Sequence, residues 1–404
     1  MNLDLKQLVP AVLKIFVVLF FMLMCYYHML SPGGSGDEGL FISDLNFIKS
    51  NGWMAAIEKG IGLSYLILVY PLSFILSDYL ALRMVNVMFL LILFLYFYKW
   101  GEIKNNLFYY YLLFICGFGF FLSGTNDTLF IVAMIVFFNE VYKVLENKEK
   151  TSIPLLWCAL IIAFFTRELI YIYVPLVLLS FFLLKKKNQD MSQKWYIPAA
   201  LLIFFVAINI PSLQVKHRFS YDDKKPDSSV KSTWGQRQYL AQLLVNEGKL
   251  PDQKHQSWEE TDAYLLEHGE NSLPKTTADG ILFDFKLTLT EFVKDFTSTV
   301  ILSIRQTGMI FIFVIAYLLF AIFRRKITPN LFLPFVSLFL VAAFSFIVIS
   351  YVETRWLIAP YILAMLYYSD LEFDKKLPKL VPLINQMLLI LVIFYGTYKV
   401  FLKL

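Results

Sequence analysis

Charge is scarce in this chain. Of 404 residues only 17% are Asp, Glu, Lys or Arg, while 58% are hydrophobic. That ratio, with a mean hydropathy of +0.62, excludes an ordinary soluble domain. Cysteine is nearly absent: Cys25, Cys116 and Cys158 all lie in apolar stretches and form no CxxC pair. A disulfide framework is therefore excluded, and the three behave as small hydrophobes. No Walker loop, GxGxxG, GxSxG or HExxH occurs, which removes support for nucleotide binding and for the common hydrolase chemistries. The four histidines are scattered. His28 sits near the end of the first apolar run, and His217, His255 and His268 lie in a polar segment without ligand-like spacing.

What the chain has instead is a series of long apolar runs, rich in its 40 Phe and 24 Tyr. They cover about 8–30, 81–99, 105–123, 127–145, 151–166, 168–185, 195–213, 297–323, 330–351, 354–369 and 380–402. Each approaches the roughly 20 residues that a bilayer requires. The first is too long for a signal-peptide core and lacks a small-residue cleavage site, so it reads as a retained helix. The stretch 61–77 is ambiguous, with Pro71 inside it and Asp78 and Arg83 soon after.

The positive-inside rule resolves that ambiguity. The net charge of +5 falls in short clusters between runs: Lys99/Lys104, Lys143/Lys148/Lys150, Lys185–Lys187/Lys194, Arg324–Lys326 and Lys375/Lys376/Lys379. Such clusters are topology signals and not a nucleic-acid footprint. They and Lys6 share the cytoplasmic side only if 61–77 stays outside as an interfacial element. The expected fold is thus an all-α polytopic membrane protein with about eleven transmembrane helices. Juxtamembrane helices occupy the first outer loop, 31–80. The organisation reads as a transmembrane module over 1–212, one large extracytoplasmic loop over 213–296, and C-terminal helices over 297–404. The large loop looks too poor in apolar residues to fold as an independent domain, although Thr261–His268 and Leu287–Asp295 look helical.

The outer side collects the candidate chemistry. Asp37 and Glu38 are adjacent carboxylates just past the first run, ionised at neutral pH unless buried. Asp37 also reads as the N-cap of a helix over Glu38–Lys49 with Phe41, Leu45 and Ile48 on its apolar face. Asp127 opens a helix after Ser-Gly-Thr-Asn and reads first as a capping residue. Arg83, Arg305 and Arg355 lie near outer ends of runs. Singly they snorkel to the interface; together they suit a phosphate, which the guanidinium fork fits. Arg167 and Glu168 read as a local ion pair. Apart from Lys14 and Glu140, both toward inner ends, the runs lack ionisable residues near their centres, which counts against an ion-coupled transporter.

A first helix, an external Asp37-Glu38-Gly-Leu-Phe41, an interfacial helix, Tyr70-Pro71-Leu72 and then Leu82-Arg83 resemble the GT-C superfamily of polytopic glycosyltransferases. Protein O-mannosyltransferases and the lipid A aminoarabinose transferase are of this type. Their motifs read Asp-Glu-x-x-Tyr and Pro-Pro-Leu-Tyr, with an Arg-Tyr-x-x-x-Pro-like segment near the C-terminus. Here Phe41 stands for the Tyr, a single Pro precedes Leu72, and Glu353-Thr-Arg355-Trp-Leu-Ile-Ala-Pro360 corresponds to the last. The likeness covers most of 8–185 in layout.

The resemblance implies an integral membrane glycosyltransferase of the cytoplasmic (inner) membrane of a bacterium, with its active site on the extracytoplasmic side. The donor is a polyprenyl-phosphate-linked sugar and the acceptor a glycan or lipid-linked molecule. Asp37 is the catalytic base, with Glu38 and Asp127 as acidic partners, and Arg83, Arg305 and Arg355 hold the donor phosphate. No cofactor is required, and a divalent metal at the acidic cluster is compatible with the family. Membrane lipids are partners and nucleic acid is not. Two alternatives stay open: a polysaccharide polymerase or ligase leaning on Arg218 or Arg237 of the large loop, and a lipid-linked-sugar flippase.

Overall fold

A computed structural model describes residues 5–34, 36–221, 230–251, 254–326 and 328–403. The described residues are 75% helical and contain no strand. The chain divides into two compact units. The first comprises residues 1–222, 303–337 and 358–404, and the second 223–302 and 338–357.

The helices in chain order are α1 (Leu5–Leu30), α2 (Asp37–Lys59), α3 (Leu63–Val69), α4 (Asp78–Lys99), α5 (Asn106–Gly117), α6 (Asp127–Leu145), α7 (Ile153–Thr166), α8 (Ile170–Lys186) and α9 (Tyr196–Lys216). Then follow α10 (Trp234–Asn246), α11 (Trp258–His268), α12 (Thr277–Phe283), α13 (Phe285–Thr307), α14 (Ile310–Phe323), α15 (Phe332–Ser345), α16 (Ile358–Phe373) and α17 (Leu380–Phe401). Five of them, α1, α4, α6, α9 and α17, are long and apolar enough to cross a membrane. Four shorter apolar helices cover Asn106–Gly117, Ile153–Thr166, Ile310–Phe323 and Pro329–Ser345.

Helix α6 forms the centre of the first unit. Its run Leu129–Phe138 is apolar on every face, as a helix surrounded by protein must be, and all its residues are buried. It packs against α4, α7, α8 and α16, while α1 packs on α5 and α17. Two apolar runs that read as single spans are interrupted. The run 297–323 breaks at Gly308, whose φ is +62°. A Cβ there would meet Asn385 Oδ1 at 2.5 Å, and that oxygen instead accepts the Met309 N–H at 2.7 Å. Glycine is needed for both the backbone and the space. The run 330–351 ends as a helix at Ser345.

The C-terminal end of α6 holds a buried ion pair. Lys143, expected among exposed cytoplasmic lysines, lies 2.7 Å from Glu140, and both side chains are 1% exposed. Glu140 also accepts from Tyr96 Oη at 2.6 Å and from the Ser152 N–H at 2.8 Å, and Asn139 Nδ2 donates to Tyr96 Oη at 2.7 Å. Sequence spacing suggested charge at this end of the helix, and burial changes what the charge does: it joins α6 to α4 and to the turn before α7.

The second unit has a small core of its own, built from Tyr239, Leu240, Leu265, Leu273 and Val348. The loop over 213–296 is expected to be too poor in apolar residues for an independent domain, and the core is completed from outside it. Val348 shows how: the missing apolar side chains come from 338–357, about a hundred residues downstream of α10. Capping boxes at Thr233/Gln236, Ser257/Glu260 and Thr276/Asp279 start α10, α11 and α12. On α13, Glu291 accepts from Gln242 Nε2, Asn246 Nδ2 and Lys294 Nζ, each at 2.9 Å. One turn on, Asp295 buries its Oδ2 without a hydrogen-bond partner. Burial, with help from Glu291 and against Lys294, pushes its carboxyl up to about 7.

Two outcomes are expected. Lys143→Met strands the Glu140 charge and lowers stability by about 3–5 kcal/mol, and adding Glu140→Gln recovers much of it; thermal unfolding in detergent reads both. Asp295 has a folded pKa above the roughly 3.9 of an unfolded Asp, so its contribution is full at low pH and is lost as pH rises through about 7. Asp295→Asn therefore raises the unfolding midpoint at pH 8.5 more than at pH 5.5, and an equal shift at both would refute the assignment.

Candidate functional site

The segment between α1 and α4 is folded onto the neighbouring helices by its own periodicity. Phe41, Leu45 and Ile48 recur at helical spacing on α2, and all three are buried, as their pattern predicts. The helix continues past Lys49 to Lys59 with a kink at Gly52. Phe41 meets Tyr65 of α3 edge-on at 5.6 Å, and Tyr65 Oη donates to the Leu82 carbonyl of α4 at 2.7 Å. Lys49 pairs with Asp78 and donates to the Ser73 carbonyl. The ambiguous stretch 61–77 is α3 plus a short 3-10 turn, Leu72–Phe74.

Glu38 lies at the centre of this arrangement and is 4% exposed. Arg83 engages it with two bonds of 2.7 Å, Nε to Oε1 and Nη2 to Oε2. The Gly34 N–H donates to Oε2 at 3.0 Å and the Gly124 N–H to Oε1 at 3.1 Å. The remaining Arg83 donors go to the carbonyls of His28, Ser31 and Pro32. Its guanidinium also lies 5.1 Å from the Tyr79 ring centroid. Gly124 is required by proximity: a Cβ there would stand 2.6 Å from Glu38 Oε1 and 2.7 Å from Leu82 Cβ.

This geometry revises two expected roles. Glu38 and Arg83 saturate one another and the local backbone, so Glu38 is not placed to transfer a proton, nor Arg83 to take up a phosphate. Asp37, half-buried in the first turn of α2, is the acidic residue next to this fixed point. Asp127 is buried at the start of α6, where it accepts from Thr125 Oγ1 at 3.1 Å and pairs with Arg167. The expected Arg167–Glu168 pair gives way to this longer-range one. Asn126 Nδ2 donates to the Thr166 carbonyl at 3.1 Å, and Asn86 Nδ2 to the carbonyls of Ser123 and Thr125. The turn before α6 is thereby tied to α4 and α7, and through Gly124 to Glu38.

Arg305 is exposed in the last turn of α13, where helix-end carbonyls favour a cation. Arg355 belongs to the second unit and pairs with Glu353 in the short turn Thr354–Leu357. Among the described residues no group of three or more His, Cys, Asp or Glu is arranged to hold a metal ion. Glu38 and Asp127 each face an arginine instead. One carboxyl escaped the sequence reading: Asp44 on α2, which burial pushes up to about 6 against the opposing pull of Lys59. Its only sequence signal is a polar residue beside the Phe41–Leu45–Ile48 stripe.

Compared with protein-family models, curated proteins and solved structures, the chain matches none.

Replacing Arg83 by Met leaves Glu38 buried without its counter-charge, and the expected loss is about 3–5 kcal/mol in stability. Arg83→Met with Glu38→Gln recovers part of that loss. A single variant that unfolds like the unsubstituted protein would show the pair to be dispensable.

Proposed function

We propose that this chain is an integral membrane glycosyltransferase that moves a sugar from a polyprenyl-phosphate carrier to a saccharide-containing acceptor outside the cytoplasm. The observation that carries the reading is the anchoring of Glu38 by Arg83, Gly34 and Gly124. It gives the adjacent Asp37 a defined backbone on a turn that is otherwise glycine-rich. A catalytic carboxylate needs that kind of support, because small displacements of a reacting group cost large factors in rate.

In this reading Asp37 orients the acceptor hydroxyl and takes its proton as the oxygen attacks the anomeric carbon. The bond to the carrier phosphate breaks, and a single displacement inverts the anomeric centre. Arg305 is the arginine of the first unit assigned to the departing phosphate, whose growing charge a guanidinium stabilises. Arg83 is withdrawn from that task by its bonds to Glu38. Asp127 with Arg167 holds the neighbouring turn.

The polymerase alternative places the chemistry on Arg218 or Arg237, and the flippase alternative requires none. Purified protein in proteoliposomes, given polyprenyl-phosphate sugars and an acceptor extract, separates the three. Asp37→Asn is expected to cut transfer by about 10²–10⁴-fold with insertion and unfolding midpoint unchanged. Transfer that survives in Asp37→Asn and fails in Arg237→Gln would move the assignment to the polymerase reading. Movement of the carrier without a new glycosidic bond would make it a flippase.

A further inference from the structure

The second unit holds a cluster that the proposed transfer step does not use. Its two segments, 255–258 and 350–356, meet directly: Ser350 Oγ lies 3.3 Å from His255 Nδ1, and the His255 and Tyr351 rings stack at 5.7 Å. On one flank, Arg237 lies over the Trp258 ring at 4.9 Å. A reciprocal pair of bonds fixes it there, Arg237 Nε to the Gln256 carbonyl at 2.8 Å and Gln256 Nε2 to the Arg237 carbonyl at 2.9 Å. The guanidinium is thus held through Nε, over the Trp258 ring.

Exposure and hydrogen bonding both point to a ligand. Arg237, His255, Trp258 and Tyr351 are each half-buried, so rings and guanidinium are accessible while their positions are fixed. Gln256 is only 5% exposed, yet its Oε1 has no hydrogen-bond partner. Trp356, also 5% exposed and stacked on Phe344, buries an Nε1–H with none. Buried polar atoms without partners cost stability and are uncommon in native proteins. Of these, the Gln256 orphan acceptor belongs to a residue bonded to Arg237 within the aromatic and guanidinium cluster, and the Trp356 orphan donor lies on the same 350–356 segment as Tyr351.

The chemistry of these atoms selects the ligand class. An inorganic phosphate or a carrier pyrophosphate serves the guanidinium and the indole N–H, but it offers no apolar face to the aromatic rings. An apolar lipid chain serves the rings and none of the polar atoms. A sugar hydroxyl both donates and accepts, and the C–H face of a pyranose stacks on an aromatic ring as any apolar surface does. We infer that the Arg237–Gln256–Trp258 and His255–Tyr351 cluster is a saccharide-binding site that receives the glycan portion of the acceptor. The identity of the occupant as acceptor rests on the transferase reading; the saccharide chemistry does not.

The test uses the full chain in lipid nanodiscs with four soluble probes: chitotetraose, maltotetraose, a hyaluronan tetrasaccharide and inorganic phosphate. Saturation-transfer NMR and Trp fluorescence report binding. Saturable binding of at least one tetrasaccharide is expected, uncompeted by phosphate. Trp258→Ala and Tyr351→Ala each weaken it by about tenfold or more. Tyr351→Phe retains it, because the ring does the stacking. Gln256→Met keeps the volume but removes both the orphan oxygen and the Nε2 bond to the Arg237 carbonyl, so it weakens binding with only a modest fall in the unfolding midpoint even if the alanine variants fold poorly. No saccharide binding to the unsubstituted protein, phosphate in place of saccharide, or full binding by folded Gln256→Met and Tyr351→Ala would each overturn the site. Asp37→Asn separates the two proposals. Saccharide binding without transfer in any protein retires the transferase and leaves the site; transfer without saccharide binding does the reverse.

Discussion

The contact between Glu38 and Arg83 is the constraint on which the outer end of the first unit depends. A carboxylate this deeply buried is tolerated only with a counter-charge and hydrogen bonds on its remaining lone pairs. Glu38 has both, from Arg83 and from the Gly34 and Gly124 N–H groups. Arg83 does a second job. Helix α1 ends at Leu30, so its final carbonyls lack intrahelical donors. Arg83 supplies one to His28 and reaches on to Ser31 and Pro32. Four segments converge on two side chains: the end of α1, the start of α2, the first turns of α4 and the turn before α6. The net energy of such a pair relative to an apolar filling is small. Its consequence is specificity, because removing either partner leaves a buried charge behind.

The same logic recurs at both ends of α6. Asp127 faces Arg167 at one end, and Glu140 faces Lys143 near the other. With all of α6 buried, its termini cannot be solvated, and paired charge fixes the turns that enter and leave it. These charges are engaged in holding structure together. A conduction or coupling pathway needs charged groups that change partners near the membrane centre, and the apolar middle of α6 from Leu129 to Phe138 supplies none.

Local order was legible in the sequence, and long-range pairing was not. The buried stripe Phe41–Leu45–Ile48 and the helices within 258–268 and 285–307 follow from periodicity. Asp37 and Asp127, read as caps, are instead the first helical residues after Gly36 and Asn126, and neither helix has a side-chain cap bond. Glu38 and Arg83 are 45 residues apart, and nothing in local composition couples them. Arg167 has Glu168 beside it, so spacing favours the wrong partner; burial of Asp127 makes the distant pair the stronger demand. The break at Gly308 is hidden because apolar residues flank it on both sides. The core of the second unit is hidden for the related reason that Val348 sits in a run that reads as part of a span.

Two adjacent carboxylates at the edge of an apolar slab look redundant until helix geometry is applied. Successive residues on a helix project about 100° apart, so Asp37 and Glu38 cannot share an environment. Glu38 points inward to Arg83 and Gly124, while Asp37 stays half-buried on a neighbouring face. The preceding Ser-Pro-Gly-Gly-Ser-Gly segment has little intrinsic order, and α2 begins without a side-chain cap. A lone Asp37 there would gain no fixed orientation from its own sequence. Glu38 provides it, by committing its charge to the scaffold. The pair is thus an anchor, Glu38, and beside it a half-buried carboxylate, Asp37, in a different environment.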